Sequence, residues 1–181
     1  IDLPAPLYER VVEARERVTA TGDVLEPLDR ERLRAALAAA RGAGCTSAAI
    51  ALLHGWRHTA HERRAAALAR EAGFEYVAVS HEVAPLERLV PRGQTTVADA
   101  YLAAVIAGYV GGLAAELATL DAGATLELMQ SHGGLAAASA FRGTNAVLSG
   151  PAGGLVGMVK VGRAAGHERL VGFARGGTST D

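Results

Sequence analysis

Only one cysteine, Cys45, occurs in 181 residues, so no disulfide can close within the chain. A reducing compartment fits that count. Cys45 stands just before an apolar run and reads as a small buried hydrophobe. An excess of either charge is missing too: 18 Lys and Arg against 19 Asp and Glu leave a net charge of −1. Without a basic surplus there is no electrostatic ground for nucleic acid or an anionic membrane as partner. No apolar run reaches the roughly 18 to 20 residues of a membrane span. The nearest, residues 97–120, contains Asp99 and Glu116 and has helical periodicity, so it reads as a soluble core helix. No basic-then-apolar leader opens the chain, and a cytoplasmic location is expected. Aromatic residues are scarce at 4%, while Ala, Gly and Arg abound, a pattern read as coding bias and not as a functional signal. The chain starts Ile1-Asp2-Leu3-Pro4 without Met and stops at Asp181 inside a polar turn, so both ends are expected to be cuts in a longer chain.

The apolar pattern predicts an α/β fold. Residues 7–18 fit either a helix or an exposed hairpin strand, and Thr21-Gly22-Asp23 marks a turn. Asp29 is a candidate N-cap for a helix whose apolar face is Leu33, Ala36, Leu37 and Ala40, closed by Gly42. Residues 47–53 read as a buried strand. Thr59 and Glu62 have capping-box spacing before a helix that stops at Gly73, and residues 76–79 form a second strand. Strand, helix, strand with short links predicts a parallel pair. Pro85 and Pro91 punctuate a loop or short helix. Thr95 or Thr96 is then expected to cap a long helix interrupted by Gly108, Gly111 and Gly112, which permit close packing or mark a bend.

The last third changes texture, with a boundary expected near Gly123, giving lobes 1–123 and 124–181. Strands are expected at residues 125–129, 146–148 and 170–173. Each runs into a small-residue turn: Ser131-His132-Gly133-Gly134, Ser149-Gly150-Pro151-Ala152-Gly153-Gly154, and Gly176-Gly177-Thr178-Ser179-Thr180-Asp181. Bare backbone amides at such turns can approach an anion. The second string precedes a helix, where N-terminal amides favour anions, and Pro151 suits a first helical turn. A tight connection needing small residues explains it equally well. The third offers amides and hydroxyls for phosphate oxygens and the Asp181 carboxylate for a cation, although a plain turn has the same composition. The three turns are expected along one cleft.

The histidines divide into three sets. His54, His58 and His61, with Glu62, fall within nine residues at a strand end, and His54, His61 and Glu62 are candidate ligands for a divalent metal. The competing reading has His61 and Glu62 serving the helix start. His81-Glu82 and His167-Glu168 read as surface pairs. His132 is the candidate catalytic residue, donating to substrate or phosphate, with simple turn filling as the alternative.

Several of these strings together resemble the hydantoinase/oxoprolinase family, in its ATP-binding subunit. They are Ala51-Leu52-Leu53-His54-Gly55-Trp56 with Ala60-His61-Glu62, Arg92 with Thr95-Thr96 and Ala100-Tyr101-Leu102, Met129-Gln130-Ser131-His132-Gly133-Gly134, and the two later glycine-rich strings. They stand in the family's order across nearly the whole chain. The resemblance implies part of an actin-like ATPase fold, that of acetate and sugar kinases, with parallel-containing sheets and flanking helices. It implies ATP and Mg²⁺ as cofactors, beside any second divalent metal. Gly176, Gly177, Thr178, Ser179, Thr180 and Asp181 would form the second phosphate loop, with Gly150, Gly153 and Gly154 behind it. The first phosphate loop is not in this sequence, so the piece alone is expected to be inactive. One departure is Ala174-Arg175, where the family usually has Asp then Met; Ala174 cannot help hold a metal–phosphate assembly. Val90-Pro91 before Arg92 is another.

The activity implied is hydrolysis of a small cyclic amide such as hydantoin or 5-oxoproline. It would be driven by ATP and performed with a hydantoinase B-type second subunit in a hetero-oligomer. ATP-dependent carboxylation of ketones and a degenerate, non-catalytic copy are the rivals.

Overall fold

The computed structural model describes residues 5–175, so the turn expected at residues 176–181 lies outside the described residues. The chain divides into two compact units, residues 1–104 and 105–181, with the division inside its longest helix.

In the first unit, residues 7–18 form no helix, and only their last two residues are strand. Strand β1 (Arg17–Val18) pairs antiparallel with β2 (Val24–Glu26). Gly22 turns the chain with φ +103°, a conformation open to glycine at little cost. The Thr21 and Thr19 hydroxyls donate to Asp23 and hold its carboxyl below the ordinary carboxylate value.

Helix α1 (Arg30–Gly42) begins as its sequence requires: Asp29 Oδ1 accepts from Arg32 N at 3.0 Å. It ends through Ala43 and Gly44, and the left-handed residue is Gly44 (φ +100°), two positions beyond the expected Gly42. Asp29→Ala is expected to destabilise the chain by about 1 kcal/mol. A shift in denaturation midpoint at unchanged slope would show it.

Strand β3 (Ser47–Ile50), helix α2 (Ala60–Glu71) and strand β4 (Tyr76–Val79) form the expected βαβ unit. The strands are parallel and in unbroken register, Ser47 opposite Tyr76 through Ile50 opposite Val79. Leu33, Leu37 and Ala40 of α1 pack with Ala65, Leu68 and Ala69 of α2, Leu28 and Phe74. Burial of such side chains contributes about 1.5–3 kcal/mol for each large one.

The capping box at Thr59 does not form. Thr59 has helical dihedrals and its side chain caps nothing, because the Glu62 carboxylate is drawn into the interior by other partners. After β4 comes the short α3 (Ser80–Val83) and then α4 (Leu89–Leu120). That helix starts six residues before Thr95, with Pro91 in its first turn, where a missing N–H costs no hydrogen bond. Thr95 and Thr96 therefore bond back to the Pro91 and Arg92 carbonyls inside the helix instead of capping it.

The sequence reading of α4 as a core helix needs correction. Among the described residues it is the one helix long and apolar enough to cross a membrane by length and composition. Little of its apolar run is covered by them: Tyr101, Val105, Tyr109 and Leu120 are exposed. A methyl group added at Gly108, Gly111 or Gly112 would meet nothing within 4 Å, so these glycines support no close packing here.

In the second unit, β5 (Glu127–Met129) pairs antiparallel with β6 (Leu135–Ala137), a strand the sequence did not announce. A 3₁₀ turn (Ala138–Ala140), the short helix α5 (Gly143–Ala146) and helix α6 (Ser149–Ala164) follow. Two expected strands are absent. Residues 146–148 instead end α5 and enter α6 through Leu148, whose φ of 60° breaks extension. Residues 170–173 stand in no ladder among the described residues, and Val171 and Phe173 are exposed.

Candidate functional site

The second unit builds a concave surface from two of the glycine-rich strings. Ser131–Gly134 is the turn of the β5–β6 hairpin and not the end of a parallel strand, as expected from sequence. Gln130 N donates to Gly134 O at 2.8 Å and Gly133 N to Gln130 O at 2.9 Å. Gly133 has φ +84°, and a Cβ there would lie 3.1 Å from Val156, so glycine both turns the chain and lets α6 approach.

The Ser149–Gly154 string is also relocated. It does not precede α6 but forms its first turns, with Pro151 in the first of them, as its sequence position suggested. No side chain caps this helix. Its first free amides and the positive end of its dipole can face an anion. Leu148, ahead of it, holds a left-handed conformation that costs about 1–2 kcal/mol for a side chain with a Cβ. Such strain collects at functional sites.

Between hairpin turn and helix lies a concavity of about 350 Å³, lined by Ser131, His132, Gly133, Leu148, Pro151, Ala152, Leu155 and Val156. Gly153 faces Met129 of β5. Gly150 and Gly154 meet no side chain. His132 is exposed, and its Nδ1 accepts from Gly134 N at 3.3 Å. In the neutral ring the proton therefore sits on Nε2, making that atom a donor suited to a carbonyl or phosphate oxygen.

The proposed metal ligands do not converge. His61 Nδ1 is 2.6 Å from Glu16 Oε2, and His58 Nε2 is 3.0 Å from the Ala20 carbonyl. Both rings clamp the N-terminal hairpin onto the βαβ unit. His54 lines a polar cavity of about 220 Å³ with Trp56, Arg57, His58 and Glu87. Glu62 points the other way, into the interior. Among the described residues no three His, Cys, Asp or Glu side chains gather as a metal would need. The physical reason is the helix: consecutive residues His61 and Glu62 leave α2 about 100° apart and find different partners.

Glu62 instead anchors a buried polar network that the sequence reading missed. Its carboxylate accepts from Leu52 N at 2.9 Å, Ser80 Oγ at 2.6 Å, His81 N at 3.2 Å and His81 Nδ1 at 2.7 Å. Gly55 must lack a side chain, since a Cβ there would fall 2.1 Å from Glu62 Oε1. Arg92 closes the network, with Nε donating to Ser80 Oγ at 2.9 Å and Nη1 to the Leu86 and Glu87 carbonyls. Its Nη2 donates to the Leu52 and Leu53 carbonyls. Glu62, Ser80 and Arg92 expose no surface. Burial lowers the Arg92 pKa while the Glu62 charge opposes that shift. His81, read from sequence as part of a surface pair, has a side chain only 8% exposed. The signal that could have located it is its place directly after a parallel strand.

The chain matches the family model described as hydantoinase/oxoprolinase over residues 92–181, and the model for the N-terminal region of the same family over residues 1–73. It is 38% identical to 5-oxoprolinase 1 of Arabidopsis thaliana, with 98% of this chain and 16% of the relative aligned. It is 30% identical to the acetophenone carboxylase gamma subunit of Aromatoleum aromaticum, over 98% of this chain and 25% of that subunit. The crystal structure of the ATP-dependent caprolactamase from Pseudomonas jessenii superimposes with a TM-score of 0.79 at 33% identity, covering 91% of this chain and 24% of that one. The chain thus spans between about a sixth and a quarter of the length of these relatives.

Proposed function

The chain belongs to the hydantoinase/oxoprolinase family, and from that premise we propose that it is part of a larger, cytoplasmic subunit of actin-like ATPase fold that opens small cyclic amides at the expense of ATP. An unstrained amide resists water because its carbonyl is resonance-stabilised and its nitrogen leaves poorly. ATP would transfer its γ-phosphoryl group to the carbonyl oxygen with release of ADP; water would then add to the carbon, the ring C–N bond would break with a proton passing to nitrogen, and phosphate would leave.

This chain's residues have three tasks in that reading. His132 Nε2–H donates to the oxygen on which negative charge develops. The uncapped start of α6, with Gly150, Gly153 and Gly154 leaving its backbone uncovered, stabilises anionic oxygens by amides and dipole. Gly176, Gly177, Thr178, Ser179 and Thr180 are the residues that the family resemblance assigns to phosphate, and Asp181 the one it assigns to Mg²⁺. Ala174 brings no carboxylate to that cation, and Arg175 offers its charge to phosphate instead. A hydantoinase B-type partner in a hetero-oligomer completes the hydrolytic step.

The observation that carries the proposal is the shared concavity. An imidazole donor and a free helix N-terminus lie against one space of about 350 Å³, within a chain akin to enzymes that open lactams. The likeness to a carboxylase subunit favours a second reading, ATP-dependent carboxylation of a ketone. The full-length protein with its partner subunit separates them. Under the first, ATP consumption should accompany ring opening of 5-oxoproline, hydantoin or caprolactam and ignore ketone with bicarbonate. ATP consumption with ketone and bicarbonate alone would install the second. No consumption with either would leave the degenerate copy, for which Ala174 speaks.

A further inference from the structure

We propose that the cavity beyond the C-terminal end of β3, lined by Arg57 and Glu87, binds a small free amino acid, with Arg57 taking its carboxylate and Glu87 its ammonium. The site lies within the first unit and does not depend on the proposed reaction.

Three segments wall this cavity of about 220 Å³: the turn after β3, which brings Trp56 and Arg57; Glu87, ahead of α4; and Ala20, between β1 and β2. Each wall is pinned. The turn closes on itself, with Gly55 N donating to the Leu52 carbonyl at 3.1 Å and His58 N to the His54 carbonyl at 2.9 Å. Arg92, which exposes no surface, donates to the Leu52 and Leu53 carbonyls and, at 3.1 Å, to the Glu87 carbonyl. One buried guanidinium thus fixes the backbone of both charged walls. His58 Nε2 donates to the Ala20 carbonyl at 3.0 Å and fixes the third.

Two opposite charges stand on these walls without partners. Among the described residues the Arg57 guanidinium and the Glu87 carboxylate make no hydrogen bond and no ion pair, with each other or with a neighbour. A simple anion drawn in by Arg57 would meet the Glu87 charge in the same small space, and a simple cation drawn in by Glu87 would meet Arg57. A zwitterion satisfies both. Its carboxylate matches the planar guanidinium fork, which offers two parallel N–H donors. Its ammonium matches the Glu87 carboxylate, and its carbon stem has Trp56 and Leu53 as an apolar wall. The His54 ring, also without a partner among the described residues, adds one polar contact. The volume is below the roughly 300 Å³ at which pockets for drug-sized ligands begin, which suits a molecule of a few carbons. Position agrees as well: ligands of parallel sheets gather beyond the carboxyl ends of the strands.

The test is calorimetric titration of the full-length protein with L-glutamate and with 6-aminohexanoate, each against the matching acid without the amine, glutarate and hexanoate. Saturable binding of at least one amino acid is expected, about tenfold or more tighter than its matching acid. Arg57→Gln and Glu87→Gln, both changes on exposed side chains, should each weaken that binding by about tenfold or more. Glu87→Gln should also bring the amino acid and its matching acid to similar affinity, which a merely structural loss would not do. His132→Ala should leave the binding unchanged. Absence of saturable binding of either amino acid overturns the proposal. So does binding that survives Arg57→Gln and Glu87→Gln undiminished, and so does binding lost with His132→Ala, which would put the amino acid in the other concavity.

Discussion

Replacing Arg92 by methionine should lower the unfolding free energy by about 3–5 kcal/mol. The guanidinium is fully buried and donates to Ser80 Oγ and to four backbone carbonyls, those of Leu52, Leu53, Leu86 and Glu87. Two of these carbonyls lie just past β3 and two just before α4, so one side chain ties the exit of the parallel sheet to the start of the long helix. Methionine fills much of the space but leaves all five acceptors without this donor and the Glu62 carboxylate without its nearby cation. Each unmet buried acceptor costs about 1–3 kcal/mol when the structure cannot relax around it. Arg92→Lys should recover little, because a single ammonium cannot span acceptors on three segments. Guanidinium denaturation of both variants measures this. A loss below about 1 kcal/mol for Arg92→Met would mean that water replaces the guanidinium and that the network is not what holds these segments.

What the sequence made legible follows the range of the forces involved. Asp29 caps α1 because its acceptor and the Arg32 amide are three residues apart. The βαβ unit was readable because apolar runs with short links admit few arrangements, and β3 and β4 are parallel as that pattern required. Glu62 shows where such reading stops. Its spacing from Thr59 is that of a capping box, a local interaction, but partners 10, 18 and 19 residues away won its carboxylate. The start of α4 was misplaced for a similar reason: Pro91 looked like a stop, whereas a first-turn proline is tolerated. Strand β6 was missed because Leu135-Ala136-Ala137 carries little β propensity, and its pairing comes from the Gly133 turn that folds it onto β5. In the candidate site, the turn around His132 and the start of α6 were visible separately as glycine-rich strings. That they line one concavity depends on Gly133 admitting α6, which no local pattern encodes.

His132→Ala, made in the full-length protein with its partner, should cut turnover by about 10²- to 10³-fold, as loss of one donor to a developing oxyanion does. Stability should change by less than about 0.5 kcal/mol, because the side chain is exposed and its ring only accepts a long bond from Gly134 N. The split between the two effects is what identifies the role. If the ring merely filled the turn, its removal would loosen the β5–β6 hairpin and lower stability along with activity. If it donates from Nε2, activity falls while the fold stands. His132→Gln sharpens the test, since an amide placed there can still donate and should restore part of the lost turnover. The expected loss lies in kcat more than in KM, because the bond strengthens as charge gathers on the oxygen and contributes little to the resting substrate. A variant that keeps full turnover would remove His132 from the chemistry and leave the concavity beside α6 as an anion site or a packing surface alone.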